Sequence, residues 1–336
     1  MADVKYDVLG IGNALFDVLV KTDEAFLGKH GMTKGSMSLI DEARAAAIYK
    51  DMGPATEVSG GSAANTIVGI GSLGARAAYV GKVKDDQIGK LYVHDIRAAG
   101  VAFNTPAAKD GPATGCSYIL VADDGERTMN TYLGAAQDLS PADIDPAEIA
   151  AAGIVYLEGY LWDPKNAKDA FVKAAKIAHD AKRKVALTLS DSFCVDRYRD
   201  EFLGLMRNGT VDIVFANESE LHSLYQTSDF DTALKQLRND VNLGVVTRSE
   251  KGCVVVTPTD AVAAPASPIA KLVDTTGAGD LFAAGFLFGL ARNLPHKQCG
   301  ELGALAAAEV IQHIGARPQV SLKELAGQRG LTFKVE

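Results

Sequence analysis

The stretch that decides the fold is residues 274–290, DTTGAGDLFAAGFLFGL, where a short glycine-rich segment is followed at once by an apolar run. The apolar run leaves no polar face, so a helix formed by it must be buried. The first turn of a buried helix opens unpaired N–H groups inside the protein. Gly277, Ala278 and Gly279 have little or no side chain, so a phosphoryl group can approach their amides closely. The stretch therefore predicts a buried helix that begins in an anion hole.

A carboxylate, Asp280, stands at the start of this helix. Bound phosphate would repel it, so the carboxylate needs another contact, for which a substrate hydroxyl is the obvious group. Aspartate has an ordinary pKa of about 3.9, far below that of an alcohol, so the proton would transfer late, after bonding to phosphorus has acidified the oxygen. The alternative is that Asp280 only interacts favourably with the dipole at the N-terminus of the helix. The Gly-Ala-Gly-Asp order favours the catalytic interpretation.

Composition and charge predict a folded protein that has neither a nucleic-acid nor a membrane partner. Hydrophobic residues make up 47% of the 336 residues, and the formal net charge is -8. No run approaches the roughly 18 apolar residues of a membrane span, and the N-terminus is typical of a first strand rather than a signal peptide. Four scattered cysteines without C-x-x-C spacing favour the reduced cytoplasm and small core positions.

Strand-like and helix-like segments alternate along most of the chain, which predicts an α/β fold with a doubly wound, mostly parallel sheet. The strand-like runs are 6–12, 153–158, 184–190, 212–217 and 244–248. The helical segments are 62–74, 86–99, 165–182, 196–208, 229–240, 278–293 and 297–314.

Residues 15–40 and 101–134 break this alternation, because their strand-like pieces have no long helices between them. They predict a small β-rich lid over the cleft at the carboxyl ends of the main strands. The remaining segments, 1–14, 41–100 and 135–336, would form the large α/β domain that binds nucleotide and substrate.

Two long motifs in the right order carry a family resemblance. DTTGAGD (274–280) and GGSAANTIVGIGSLGARAAYVGKVKDDQIG (60–89) resemble the two signatures of the ribokinase-like, or PfkB-type, carbohydrate and nucleoside kinases. GIGNALFDV (10–18) is most similar to the adenosine kinase branch. The likeness extends from Tyr6 to Pro318 and implies the ribokinase-like version of the predicted fold.

The resemblance implies an ATP-dependent kinase that requires Mg2+ and phosphorylates the 5'-hydroxyl of adenosine to give AMP. Asp280 would be the base, and the amides of Gly277, Ala278 and Gly279 the anion hole. The binding partners of such a kinase would be the small molecules ATP and adenosine. The nearest alternative is a kinase of ribose or fructose, whose pocket would be too small for a purine base.

The resemblance also implies the substrate contacts. Asp17 would accept hydrogen bonds from a vicinal ribose diol, although a surface strand residue is the alternative interpretation. Asn65 would offer a donor and an acceptor to the sugar hydroxyls. The other proposed contacts come from the first strand, the glycine pair and the lid: Asn13, Leu15, Gly60, Gly61, Ser62, Arg127, Met129 and Leu133.

On the nucleotide side, Asn217 and Glu220 would organise Mg2+ through its waters, while the same pair is also typical of a helix N-cap. Thr247, Arg248 and Gly252 resemble a nucleotide-binding turn, which is compatible with a β-turn between two strands. Many relatives bind a monovalent cation such as K+ at the positions of Asp274 and Thr276.

Two other classes of function are weaker. A dinucleotide-binding dehydrogenase would need a glycine at position 15, where this chain has Leu15. A catalytically inactive binding module would not need Asp280 together with the Gly-Ala-Gly loop. The residues carry no signal for the oligomeric state.

Overall fold

A computed structural model of the protein describes residues 4–123 and 126–331. Residues 1–3, 124–125 and 332–336 belong to the predicted domain segments but lie outside the described residues. In chain order the strands of the described chain are β1 (Tyr6–Ile11), β2 (Leu15–Lys21), β3 (Met37–Leu39), β4 (Thr56–Gly60), β5 (Ala77–Val80), β6 (Val101–Phe103), β7 (Gly115–Val121), β8 (Arg127–Tyr132), β9 (Ala152–Glu158), β10 (Lys184–Thr188), β11 (Ile213–Asn217), β12 (Leu243–Thr247), β13 (Cys253–Val256) and β14 (Ala261–Ala264). The helices are α1 (Glu24–Lys29), α2 (Glu42–Asp51), α3 (Ser62–Ser72), α4 (Gln87–Ala98), α5 (Pro146–Ala150), α6 (Lys165–Asp180), α7 (Ser192–Arg207), α8 (Glu218–Tyr225), α9 (Phe230–Asp240), α10 (Ala278–Ala291), α11 (His296–Val310) and α12 (Leu322–Gln328).

The large sheet has the strand order β14-β13-β12-β11-β10-β9-β1-β5-β6. Neighbouring strands from β12 to β6 are parallel, and only the β12-β13-β14 meander at one edge is antiparallel. This arrangement confirms the predicted doubly wound, mostly parallel sheet. Parallel strands bring their carboxyl ends to one edge of the sheet, which is where such folds bind ligands.

Two apolar layers cover the two faces of this sheet. On β1, Val8 packs into one hydrophobic cluster, whereas Leu9 and Ile11 pack into the other, as alternating side chains of a central strand must. One cluster includes side chains of α3, α10 and α11, and the other includes those of α6 to α9. Residues 281–289 of α10 are all buried, which confirms the prediction of a buried helix.

The small sheet has the order β3-β8-β7-β2-β4, and helix α2 packs on β7 and β8. Two strands lie across the predicted domain boundaries. Strand β4, placed by the prediction in segment 41–100 of the large domain, pairs with β2 in the small sheet. Strand β6, placed in lid segment 101–134, pairs with β5 in the large sheet. The sequence TEVSG of β4 lacks an apolar run because it forms a half-exposed edge strand.

All four cysteines, Cys116, Cys194, Cys253 and Cys299, are buried and unpaired, which agrees with their prediction as small core residues. The cytoplasmic location stays a prediction. Among the described residues, no helix combines the length and the apolar character that crossing a membrane requires.

Candidate active site

A cavity of about 1010 Å3 lies between the small sheet and the carboxyl ends of the large-sheet strands. Most of the predicted site residues line it, namely Asn13, Leu15, Asp17, Gly61, Ser62, Asn65, Met129, Leu133, Asn217, Glu220, Thr247, Thr276, Gly277, Ala278, Gly279 and Asp280. Five predicted residues are not part of its lining: Gly60, Arg127, Arg248, Gly252 and Asp274. The cavity therefore joins the two halves of the predicted site.

The carboxylate of Asp280 is held by the first two turns of α3. Ser62 Oγ donates to Asp280 Oδ1 at 2.6 Å, and Asn65 Nδ2 donates to Asp280 Oδ2 at 3.1 Å. Burial raises the pKa of Asp280 to about 6, while these two hydrogen bonds and the charge of Arg317 oppose the rise. Asp280 is therefore mostly ionised at neutral pH. Its pKa lies closer to neutral pH, where a general base works best, than the pKa of an ordinary aspartate does.

The Gly-Ala-Gly loop forms the start of α10. Gly277 is the N-cap residue with φ of 78°, and a Cβ there would lie 2.7 Å from Ala316 Cβ, so a side chain is excluded. A Cβ on Gly279 would meet no heavy atom within 4 Å, which leaves open space at the helix start. Ala278 N–H donates to Thr275 O at 3.1 Å, so one of the three predicted amides is engaged in a turn. The open side at Gly279 leaves room for an anion.

Asp17 lies against the glycine pair that ends β4. Leu15 pairs with Gly60 across β2 and β4, and a Cβ on Gly60 would lie 2.2 Å from the Asp17 carboxyl carbon. Gly61 has φ of 98°, and a Cβ there would lie 2.1 Å from Asn13 O. Gly60 thus acts beneath the cavity, by leaving room for the Asp17 carboxyl group.

Burial outweighs the neighbouring charges in setting the pKa of Asp17. Burial raises the pKa of Asp17 to about 7; the charge of Arg317 opposes this rise, that of Asp280 adds to it and that of Arg127 again opposes it. Asn65 Oδ1 is buried and has no hydrogen-bond partner among the described residues. A buried acceptor without a partner is costly, so a ligand hydroxyl would stabilise this site.

Glu158, at the end of β9, is a site residue that the sequence analysis missed. Glu158 Oε1 accepts hydrogen bonds from Asn13 N at 3.3 Å and Asn13 Nδ2 at 2.8 Å, and its Oε2 accepts from Ala63 N at 2.9 Å. Burial raises the pKa of Glu158 to about 7, and these donors oppose the rise. The available signal was a carboxylate at the end of the apolar strand GIVYLE. Glu158 positions Asn13 and the start of α3.

The substitution Glu158→Gln should weaken both the fold and substrate binding. Its amide nitrogen would face the N–H of Ala63 or the Asn13 donors, so we expect the free energy of unfolding to fall by about 1–3 kcal/mol. The KM for the acceptor that the family resemblance implies should rise as Asn13 loses its position. Urea denaturation and steady-state kinetics measure the two effects. Glu201→Gln, which alters a half-exposed partner of Trp162 and Lys168, is the control.

Phe193 is a second missed residue. It lies in the first turn of α7, its side chain is 64% exposed in the cavity lining, and the Arg197 guanidinium lies 4.6 Å from its ring centroid. Met37 and Leu39 of β3 are also exposed cavity residues. The sequence offered no signal, because a phenylalanine in a helix usually belongs to the core. These side chains give the cavity an exposed apolar surface on both of its sides.

Asn217 and Glu220 bind each other at the start of α8. Asn217 Nδ2 donates to Glu220 Oε1 at 2.6 Å, Asn217 N donates to Glu220 Oε2 at 3.0 Å, and Glu220 N donates to Asn217 Oδ1 at 2.8 Å. The capping interpretation of this pair is therefore confirmed. Burial raises the pKa of Glu220 to about 7, and the bonds from Asn217 oppose the rise. No group of three or more His, Cys, Asp or Glu side chains in residues 4–123 and 126–331 forms a metal site by itself.

The predicted nucleotide-binding turn is divided by the structure. Thr247 ends β12 and lines the cavity. Arg248 forms two hydrogen bonds of 3.1 Å with Glu218 and lies 3.6 Å from the Phe230 ring centroid, so its charge is already paired. Gly252, with φ of 83°, closes the turn to β13, where a Cβ would lie 2.1 Å from Ala264 O.

Arg127 and Asp274, which the prediction gave separate roles, form one ion pair between β8 and the segment before α10. Both side chains are buried, and Asp274 also accepts hydrogen bonds of 3.0 Å from Thr276 N and Gly315 N. Among the described residues, Nε and Nη1 of Arg127 have no hydrogen-bond partner. A monovalent cation at Asp274 does not fit while the guanidinium occupies the carboxylate.

The chain is similar to known kinases along almost its whole length. Residues 44–322 match the pfkB family carbohydrate kinase. A crystal structure of a probable sugar kinase from Rhizobium etli is 51% identical, with a TM-score of 0.92 over 98% of this chain and 100% of that chain. The crystal structure of adenosine kinase from Sinorhizobium meliloti is 55% identical, with a TM-score of 0.91 over 97% and 99% of the two chains. Adenosine kinase from Saccharomyces cerevisiae is 28% identical over 91% of this chain and 94% of its own.

Proposed function

Because the chain belongs to the pfkB family of carbohydrate kinases, we propose that it transfers the γ-phosphoryl group of ATP to the 5'-hydroxyl of adenosine. The match over residues 44–322 confirms the family resemblance and makes the protein a kinase. The acceptor is the proposed part.

One observation carries the choice of acceptor, namely the apolar surface beyond the hydroxyl-binding groups. Leu15, Met37, Leu39 and Met129 of the small sheet and Phe193 of α7 all line the cavity. A free pentose or hexose exposes mostly hydroxyl groups and gains little from such a surface, whereas a purine buries two flat apolar faces on it. The names of the similar proteins from Sinorhizobium meliloti and Saccharomyces cerevisiae agree with this choice.

The proposed reaction uses the geometry of Asp280. Asp17 and Asn65 hold the ribose hydroxyls, which brings the 5'-hydroxyl toward Asp280. As this oxygen bonds to the γ-phosphorus, the bond from phosphorus to the ADP oxygen breaks and the hydroxyl proton passes to Asp280. The amides at the start of α10 stabilise the negative charge on the transferred group.

ATP and Mg2+ fit the residues that are present, while K+ does not fit the present arrangement. The start of α10 has open space at Gly279 for a phosphoryl group, whose charge Mg2+ would partly neutralise when bound. Both carboxylate oxygens of Glu220 already accept hydrogen bonds from Asn217. Asn217 and Glu220 would therefore hold Mg2+ through its water ligands rather than directly. We assign no step to K+, because Arg127 occupies the Asp274 carboxylate.

A substrate panel tests the proposed acceptor. We expect ADP release from Mg-ATP with adenosine to exceed that with ribose or fructose by on the order of 10²-fold in kcat/KM, because burying roughly 150 Å2 of base contributes about 3–4 kcal/mol. Inosine and guanosine report on the base edge, and assays with and without K+ test the cation. Turnover of a free sugar alone would replace adenosine by ribose or fructose and keep the role of Asp280. The name of the Rhizobium etli structure makes this the second candidate.

A further inference from the structure

Arg317, in the segment after α11, contacts both ends of the turn that joins β4 to α3. Its Nε donates to Ser59 O at 3.1 Å, and its Nη1 donates to Ala64 O at 3.2 Å. Its Nη2 donates to Ser59 O and, at 3.2 Å, to Ser59 Oγ. One guanidinium group therefore spans the segment Gly60 to Ala63.

Ser59 is fixed from a second side. Asp95 of α4 accepts hydrogen bonds from Ser59 N at 2.8 Å and from Ser59 Oγ at 2.6 Å. The residue before the glycine pair is thus held between an acid and a base. A planar fork of five donors suits this task, because it bonds several oxygens in one fixed geometry.

The spanned turn borders the proposed hydroxyl-binding groups, Asp17 and Asn65. Gly60 makes room for Asp17, while Ser62 and Asn65 donate to Asp280. A shift of this turn would move all of these contacts together. The turn also starts from the small sheet and ends in the large α/β unit, so backbone hydrogen bonds within one sheet do not fix its shape.

We propose that Arg317 is a positioning residue, which holds the turn from Ser59 to Ala64 in its substrate-binding shape and places one positive charge beside Asp17 and Asp280. This inference rests on the proposed roles of those two carboxylates. Nothing in the two signature motifs includes Arg317.

The electrostatic surroundings agree with this geometry. Arg317 lowers the pKa of both Asp17 and Asp280, against the effect of burial. Other charged or titratable groups also act on these three residues. Arg127 of β8 and Asp280 itself act on Asp17. Glu158 of β9, Tyr156 and Tyr160 interact with Asp280, and Tyr92 and Asp95 of α4 act on Arg317. Loss of Arg317 leaves Arg127 as the cation that still lowers the pKa of Asp17.

Two variants separate the geometry from the charge. Arg317→Met removes both, so we expect the acceptor KM to rise at least about tenfold and the acid limb of the kcat/KM profile to move up by about 1 pH unit. Arg317→Lys keeps the charge but has no fork, so the acid limb should return toward its wild-type position while KM stays raised. The matched control is Arg97→Met, which removes another guanidinium that donates through Nε and Nη2 to one main-chain carbonyl, Phe103 O.

A second readout does not depend on the acceptor. In full-length protein with 13C-labelled aspartate carboxyl groups, assigned through Asp17→Asn and Asp280→Asn, the titration midpoints of Asp17 and Asp280 should rise in Arg317→Met and stay near wild type in Arg317→Lys. Unchanged midpoints together with a wild-type KM would overturn the inference. If wild type phosphorylates a sugar instead of adenosine, the proposed function fails and the midpoints still judge Arg317. If Arg317→Met does not fold, Arg317→Lys decides the question: a raised KM with wild-type midpoints supports the positioning role, and a wild-type KM overturns it.

Discussion

Asp280→Asn should lower kcat by about 10²–10⁴-fold, which is the contribution of a positioned general base. The amide keeps the size of the carboxyl group and can still accept from Ser62 Oγ, which donates to Asp280 Oδ1 at 2.6 Å. Its NH2 group would face Asn65 Nδ2, the donor to Asp280 Oδ2, and can donate to Asn65 Oδ1 once the Asn65 amide turns over. It cannot take the hydroxyl proton. The KM values should change by much less than kcat, because the groups that bind the substrates stay in place. Steady-state kinetics and calorimetric titration of both substrates separate the two effects.

The alternative is that the Asp280 carboxylate only interacts favourably with the helix dipole, and it makes a different prediction. It expects a loss of about 0.3–1 kcal/mol in the free energy of unfolding and no specific loss of turnover. Asp229→Asn is the control, since Asp229 is the N-cap residue of α9 and accepts from Thr232 N at 2.8 Å. Full activity of Asp280→Asn would refute the catalytic role.

The acid limb of the pH profile has a defined direction. Because burial raises the pKa of Asp280 to about 6, the carboxylate becomes protonated as the pH falls through 6, and kcat falls with it. Above this value Asp280 is ionised and kcat should reach a plateau. A kcat that rises on acidification would contradict the role of base.

Asp17→Asn should raise the KM for the phosphoryl acceptor by about 10- to 100-fold, because hydrogen bonds to a charged group contribute about 1.5–3 kcal/mol. With the pKa of Asp17 raised to about 7 by burial, the wild-type KM should decrease as the pH rises through 7 and the carboxylate forms. The asparagine variant should lose this pH dependence and keep most of its kcat. Acceptor kinetics between pH 5.5 and 8.5 measure both effects.

Asp240→Asn is the control for Asp17→Asn, because Asp240 pairs with Arg207 and Tyr225 and is not part of the cavity lining. It should keep the wild-type KM and its pH dependence. An Asp17→Asn enzyme with the same KM as wild type would exclude Asp17 from the sugar site.

Five parallel strands of the large sheet, β1, β9, β10, β11 and β12, could be predicted because each is an apolar run. The buried helix α10 could be predicted for a similar reason, since residues 281–289 have no polar face. Strand β4 could not, because TEVSG is an edge strand that owes its pairing to β2 rather than to its own apolar content. Local pattern predicts elements, whereas edge strands depend on their neighbours.

The site shows the same division. Asp280 and the glycines of its loop stand next to each other in the sequence, so their joint chemistry is visible there. The pairing of Arg127 with Asp274 and the contacts of Glu158 with Asn13 join residues far apart in the chain. No spacing rule predicts such pairs, because the fold rather than the local sequence sets their distance. The sequence therefore assigned Arg127 to the substrate, although its guanidinium lies on Asp274.

The junction of β4 with α3 couples the position of the small sheet to the contacts of Asp280 when no substrate is bound. Gly60 ends a strand of the small sheet, and Ser62 begins the helix whose side chains orient Asp280. An outward swing of the small sheet would pull on that helix start and withdraw Ser62 and Asn65 from the carboxylate. With Asp280 in its proposed role as base, such an opening would admit water and remove the contacts that orient the base in one movement. ATP bound to the open form would then be protected from hydrolysis, because water would enter only when the proposed base is out of position.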